Sequence, residues 1–167
     1  MEELLGLLRI HVKRGVNLAV RDVRTSDPYI NFRMGNQSLK TKVIEGDVNP
    51  VWDEDLTLSI RDPEMSIQLN VYDYDRFSKD DEMGDAEFDI KAFIEGLRMD
   101  YADFPDGTIL AKVQPSRKNC LAEATTVVLR DGKVLQDLCL RLRNVETGEV
   151  ELQLEWIDLP GCKGLRA

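Results

Sequence analysis

The 167-residue chain has a single histidine and three cysteines, and no apolar run approaching the ~20 residues of a membrane span. His11 leaves no serine–histidine pairing for nucleophilic catalysis, and no glycine-rich loop is present to cradle a phosphate. Cys120, Cys139 and Cys162 are odd in number and far apart, without a Cys-X-X-Cys or His/Cys zinc spacing. They read as free thiols in a reducing compartment. Met1-Glu2-Glu3 lacks the basic start of a signal peptide, so the expected location is cytosolic, with the nucleus left open. There is no internal repeat and no low-complexity linker. Residues 1–167 therefore read as one domain, large enough for a real core.

Basic side chains are outnumbered, 22 against 31 acidic ones. The formal net charge is −9, and residues 1–97 alone, with 12 basic and 20 acidic side chains, account for −8 of it. That balance excludes nucleic acid as an expected partner and argues against constitutive attraction to an anionic membrane.

Short alternating runs fill most of the chain. Leu8, Ile10 and Val12 share one face of a first strand, with His11 on its polar face, where a surface position outweighs catalysis or metal ligation. Tyr29 to Met34 forms a second strand, ends at Gly35-Asn36, a hairpin signal, and is followed by a partner strand from Ser38 to Ile44. Gly46 to Asp53 reads as a proline-anchored loop plugged by Trp52. Strands are then expected over Asp55–Ile60, Ile67–Val71 and Ala86–Ile90, with a short helix over Lys91–Leu97. Residues 98–137 break the rhythm with a short strand at Ile109–Val113 and a hairpin around Asp131-Gly132. Two further alternating runs, Leu138–Leu142 and Val150–Trp156, precede a loose tail at 158–167. Strands at this spacing predict an all-β, two-sheet antiparallel sandwich.

The stretch Val71-Tyr-Asp-Tyr-Asp-Arg-Phe-Ser-Lys-Asp-Asp-Glu-Met-Gly84 leaves one of those strands and sets Asp73, Asp75, Asp80 and Asp81 close together. Acids at i and i+2 of an extended segment point to one side. A like-charge pair at about 6 Å costs on the order of 3 kcal/mol at an effective dielectric near 20. Such a cluster needs either a bound cation or a strongly raised pKa, and the cation is the better expectation. Counted as an EF-hand loop from Asp73, position 5 is Phe77, position 6 is Ser78 and position 12 is Gly84, so that motif fails. An aspartate-nucleophile phosphatase also opens with a strand ending in Asp-X-Asp, but requires alternating helices this chain lacks. A merely solvated acidic loop is weakened by a second acidic loop, Asp22 to Asp27, at a comparable strand end, because a sandwich gathers its loops at two ends.

The segments Asp22–Tyr29, Asn49-Pro50-Val51-Trp52 and Val71–Gly84, in this order, resemble the signature of the C2 domain, a calcium-dependent phospholipid-binding β-sandwich of eight strands. Further segments resemble the plant C2-domain abscisic-acid-related proteins: Val12-Lys-Arg-Gly-Val-Asn-Leu18, Pro115–Glu123, Gln136-Asp137 and Gly148-Glu-Val-Glu151. In that group an insertion precedes the last two sandwich strands, and residues 98–137 correspond to it. The resemblance implies a non-enzymatic adaptor that docks on anionic phospholipid at the plasma membrane when calcium is bound and recruits abscisic acid receptors of the PYR/PYL type. For some members it implies GTPase activation toward a YchF-type G protein, the alternative function.

The resemblance also implies the ligands. Two Ca2+ ions would be held by Asp22 and Asp27 in the first loop and by Asp73, Asp75 and Asp81 in the third, with the backbone carbonyls of Arg21 and Tyr74 adding oxygens. Asp80 is left out, because the family spacing selects Asp81. Phe77 and Arg76, with Val23 and Arg24 on the first loop, would enter the membrane interface. Arg33, Lys40 and Lys42 form a weaker basic lipid patch, for which a solvated sheet face is an equal reading. Arg117 is the exposed arginine that GTPase activation would call on.

Overall fold

A computed structural model describes residues 3–22, 24–162, 164 and 165. Among these residues, ten strands and one helix follow in order: β1 Gly6–Val16, β2 Pro28–Met34, β3 Gln37–Lys40, β4 Val51–Ile60, β5 Ile67–Asp73, β6 Asp81–Phe88, α1 Lys91–Arg98, β7 Ile109–Val113, β8 Thr125–Arg130, β9 Lys133–Arg141 and β10 Glu149–Ile157. All named pairings are antiparallel. One sheet runs β4-β1-β10-β9-β8-β7 and the other β3-β2-β5-β6. Eight strands thus make a four-on-four sandwich, and β7 with β8 widens one sheet to six. No helix among the described residues is long and apolar enough to cross a membrane.

The period-2 pattern accounts for the two layers. In β1, Leu8, Ile10 and Val12 are fully buried, while Arg9, His11 and Lys13 face outward at partial exposure. The same alternation buries Ile30, Phe32 and Met34 of β2, Ile67, Leu69 and Val71 of β5, and Val150, Leu152 and Leu154 of β10. These side chains meet in one core with Trp52, whose Nε1–H donates to the Lys42 carbonyl at 3.1 Å. His11 stands half-exposed between two β4 carboxylates, Nδ1 at 2.6 Å from Asp55 and Nε2 at 2.9 Å from Asp53.

Several strand boundaries differ from expectation: β6 runs over Asp81–Phe88 against the expected Ala86–Ile90, so Asp81 opens a strand and is not a loop residue. The strand expected over Ser38–Ile44 is regular only to Lys40, because Thr41 takes the Ile30 N–H on its hydroxyl at 3.0 Å instead of on a backbone carbonyl. The chain stays beside β2 through Thr41 N–H to Ile30 O and Ile44 N–H to Pro28 O. Conversely, β4 begins at Val51 rather than Asp55, since a register shift in β1 between Val12 and Arg14 lets Arg14 face Val51. Trp52 is therefore a strand residue.

The amphipathic helix α1 buries Phe93, Ile94 and Leu97 against the widened sheet. Gly96 allows that approach: a Cβ there would lie 2.8 Å from Val127 Cγ1. Residues 98–137 contain the last residue of α1, β7, β8 and the start of β9. In the final segment, Leu165 packs against the core.

Candidate metal centre

The register of the smaller sheet builds the acidic site. β2 begins at Pro28 and pairs there with Asp73, the last residue of β5; Asp73 also faces Asp81, the first residue of β6. The loop before β2 and the loop after β5 therefore leave the sheet side by side. Asp22, Asp27 and Asp73 each offer a carboxylate oxygen within 4.8 Å of the others. Asp22 is exposed, Asp27 half-buried and Asp73 only 2% exposed.

Backbone donors fix this arrangement. The Asp27 N–H donates to Asp73 Oδ1 at 2.8 Å, the Gly46 N–H to Asp27 Oδ1 at 2.7 Å, and the Tyr74 N–H to the Asp27 carbonyl at 3.0 Å. Fully buried Ser26 accepts the Arg21 N–H and donates to the Ala19 carbonyl, and Asp22 N–H closes the loop on Thr25 O. Burial raises the Asp73 carboxyl above the ordinary aspartate value; the Asp27 N–H opposes that, and the charges of Asp22, Asp27 and Asp81 add to it. Three acids are thus held together at an electrostatic cost, one of them out of water. The donor set is hard oxygen with no nitrogen or sulfur, and it leaves carboxylate lone pairs uncommitted, which suits Ca2+ rather than a soft metal.

Asp75 and Asp81 stand outside that group of three. Asp75 is tied into its own loop, accepting the Phe77 N–H at 2.9 Å and the Ser78 hydroxyl at 2.7 Å, bonds that hold its carboxyl below the ordinary value. Asp81 is exposed beside the cluster, near enough for its charge to act on both Asp73 and Arg21. Asp80 is occupied by the Tyr29 hydroxyl and by the Asp75 N–H at 2.8 Å. Burial, followed by the Asp80 hydrogen bond, pushes the Tyr29 phenol well above its usual range.

The third loop projects Phe77, 92% exposed, with Arg76 exposed beside it and Tyr74 at 44%. Arg24 is exposed on the first loop; Val23, expected there as a membrane contact, lies outside the described residues. Arg33 on β2 and Lys40 on β3 are exposed and partly committed: Arg33 donates to Asn70 Oδ1 at 2.9 Å, and the Lys40 ammonium lies 6.0 Å from the Tyr29 ring centroid. Lys42 donates its backbone N–H to Glu54 at 3.0 Å.

A clamp that no motif announced joins the rim. Arg21 makes a forked ion pair with Glu146, in the turn between β9 and β10, at 2.8 and 3.0 Å, and reaches the Glu82 carbonyl at 3.2 Å. The Arg21 bond holds the Glu146 carboxyl down at about 2. A depressed carboxylate contributes stability above its ordinary pKa and loses it as pH falls through the folded value. Glu146→Gln is therefore expected to lower the urea midpoint at pH 6, with the gap to wild type closing between about pH 4.5 and about pH 2. A gap independent of pH over that window would rule out the ion pair as its source.

Residues 6–102 match the model of the C2 domain family. Protein C2-DOMAIN ABA-RELATED 4 of Arabidopsis thaliana is 64% identical over 165 residues, 99% of this chain and 93% of that protein. GTPase activating protein 1 of Oryza sativa subsp. japonica is 54% identical over 162 residues, 97% of this chain and 98% of that one. Among solved structures, the paired C2 domains of extended synaptotagmin 2 superpose with a TM-score of 0.64 at 25% identity, over 93% of this chain and 42% of that longer one. A calcium-bound form of the same two domains gives 0.64 at 24% identity, over 93% and 47%, a likeness of fold.

Proposed function

The chain belongs to the C2-domain ABA-related family, and from that premise we propose that it is a calcium-switched adaptor for anionic phospholipid membranes. The observation that carries this reading is the convergence of Asp22, Asp27 and buried Asp73 within 4.8 Å at one end of the sandwich, beside an exposed Phe77. Asp22, Asp27 and Asp73 would hold calcium, with Asp75 and Asp81 and the carbonyls of Arg21 and Tyr74 supplying the remaining oxygens of a two-ion site. Bound Ca2+ supplies positive charge that cancels the cluster and offers open coordination to a lipid phosphate or carboxylate. Backbone bonds to Asp27 and Asp73 keep the loops in place beforehand, so little ordering is left for the binding step. Phe77 enters the interface with Arg76 beside it and Arg24 on the first loop. Arg33, Lys40 and Lys42 add a weak, calcium-independent attraction.

In this reading the protein is cytoplasmic at resting calcium, peripheral at the plasma membrane when calcium rises, and presents PYR/PYL-type abscisic acid receptors there; the relatives' ABA-related name supports that partner class. The test is co-sedimentation with phosphatidylserine and with phosphatidylcholine vesicles across a calcium series. Binding that appears with calcium on the anionic vesicles supports the reading; binding unchanged by chelator contradicts it.

The rice relative's name favours a second reading, activation of a YchF-type GTPase. Arg117, exposed in segment 98–137, would be the residue presented to that partner.

A further inference from the structure

A recess of about 220 Å³ opens at the end of β6 remote from the acidic loops, lined from both sheets and by residues 118–121. Its floor is apolar: Phe88, Leu121, Leu138 and Leu140 are each at most 6% exposed. Its rim carries Glu87, Asp89, Lys118 and Arg143, two acids against two bases, so it selects for no net charge.

One polar atom on that floor has no hydrogen-bond partner among the described residues. Gln136 is 3% exposed, and its Oε1 is the buried side-chain oxygen without a hydrogen-bond partner among the described residues. The orientation of its amide follows from its neighbour. The single hydroxyl proton of Thr125 goes to the Asp137 carbonyl, so Thr125 Oγ1 can only accept from Gln136, which it does from Nε2 at 3.3 Å. Oε1 is thereby left as an acceptor, and an acceptor unpaired at this depth is costly. A cavity of about 150 Å³ already admits benzene in other proteins. This one is larger and open at its rim.

We propose that the recess binds a neutral, mainly apolar molecule of one or two rings carrying one N–H or O–H donor, which lies on the leucine floor and gives its proton to Gln136 Oε1. The proposal is independent of the calcium site, which lies at the other end of β6.

Nuclear magnetic resonance titration of the full chain with indole, and with benzothiophene as a donor-free isostere, tests it. Indole is expected to give saturable shifts at the amides of Leu121, Gln136 and Leu138 and to bind about tenfold or more tighter than benzothiophene. Gln136→Leu should bring the two probes to equal affinity. Ala92→Phe, which fills the recess from α1, should remove both. If Gln136→Leu loses the folded spectrum, the two probes on wild type and on Ala92→Phe decide the matter. The proposal is overturned if indole gives no saturable shift there, as a recess holding only water would, if benzothiophene binds as tightly, or if the preference survives Gln136→Leu.

Discussion

Asp22→Ala combined with Asp27→Ala is expected to abolish calcium-dependent sedimentation with phosphatidylserine vesicles. The pair removes two of the three carboxylates that converge, and Asp73 alone cannot replace the six to eight oxygens calcium requires. Without calcium the variant should stay folded. It gives up the Gly46 N–H bond to Asp27, worth about 1 kcal/mol, and relieves the charges that act on Asp73. With calcium the two proteins should part. Ligand at a hundredfold over Kd stabilises a folded protein by about 2.7 kcal/mol, which for a domain of this size is a rise in Tm of roughly 5–11 °C. Wild type should show that rise and the variant none. Under the second reading, stimulation of a GTPase partner without lipid should survive the double substitution. Undiminished calcium-dependent sedimentation would place the metal elsewhere.

Phe77→Ala is expected to weaken calcium-dependent vesicle binding by about ten- to hundredfold, because withdrawing a phenylalanine from apolar surroundings forfeits about 1.5–3 kcal/mol. The side chain is 92% exposed, so its removal should leave Tm nearly unchanged. Its backbone N–H still reaches Asp75 in the variant, which keeps the third loop closed. Calcium affinity measured by calorimetry without lipid should therefore match wild type. Equal vesicle affinity for the variant would mean that docking is electrostatic alone. Lower calcium affinity without lipid would mean that Phe77 shapes the loop instead of entering the membrane.

The sandwich was legible because its signal is local. Ile67, Leu69 and Val71 alternate within five residues, and the same pattern in β1, β2 and β10 fixes which face of each strand is inward. The convergence of the two acidic loops was also foreseeable, since sandwich loops gather at strand ends, and Pro28 facing Asp73 puts both loops at the same end. What escaped were features made by side chains distant in sequence. Arg21 and Glu146 stand 125 residues apart, and nothing near either announces the other. The capture of the Ser78 hydroxyl by Asp75 and of the Tyr29 hydroxyl by Asp80 are rotamer choices that spacing does not encode. The early end of β3 depends on one threonine hydroxyl standing in for a backbone group, and the early start of β4 on a register shift in its neighbour. Gln136 stood out in the sequence only as part of the Gln136-Asp137 family segment, and only the packed fold leaves its oxygen without a partner among the described residues.

The proposed site requires that two loops share metal through Asp22, Asp27 and Asp73. Anomalous diffraction from crystals of the full chain saturated with calcium tests it most directly. Ion peaks are expected about 2.3–2.6 Å from carboxylate oxygens of all three residues. Saturated crystals with no peak between the two loops, or with calcium bound only at other carboxylates, would contradict it.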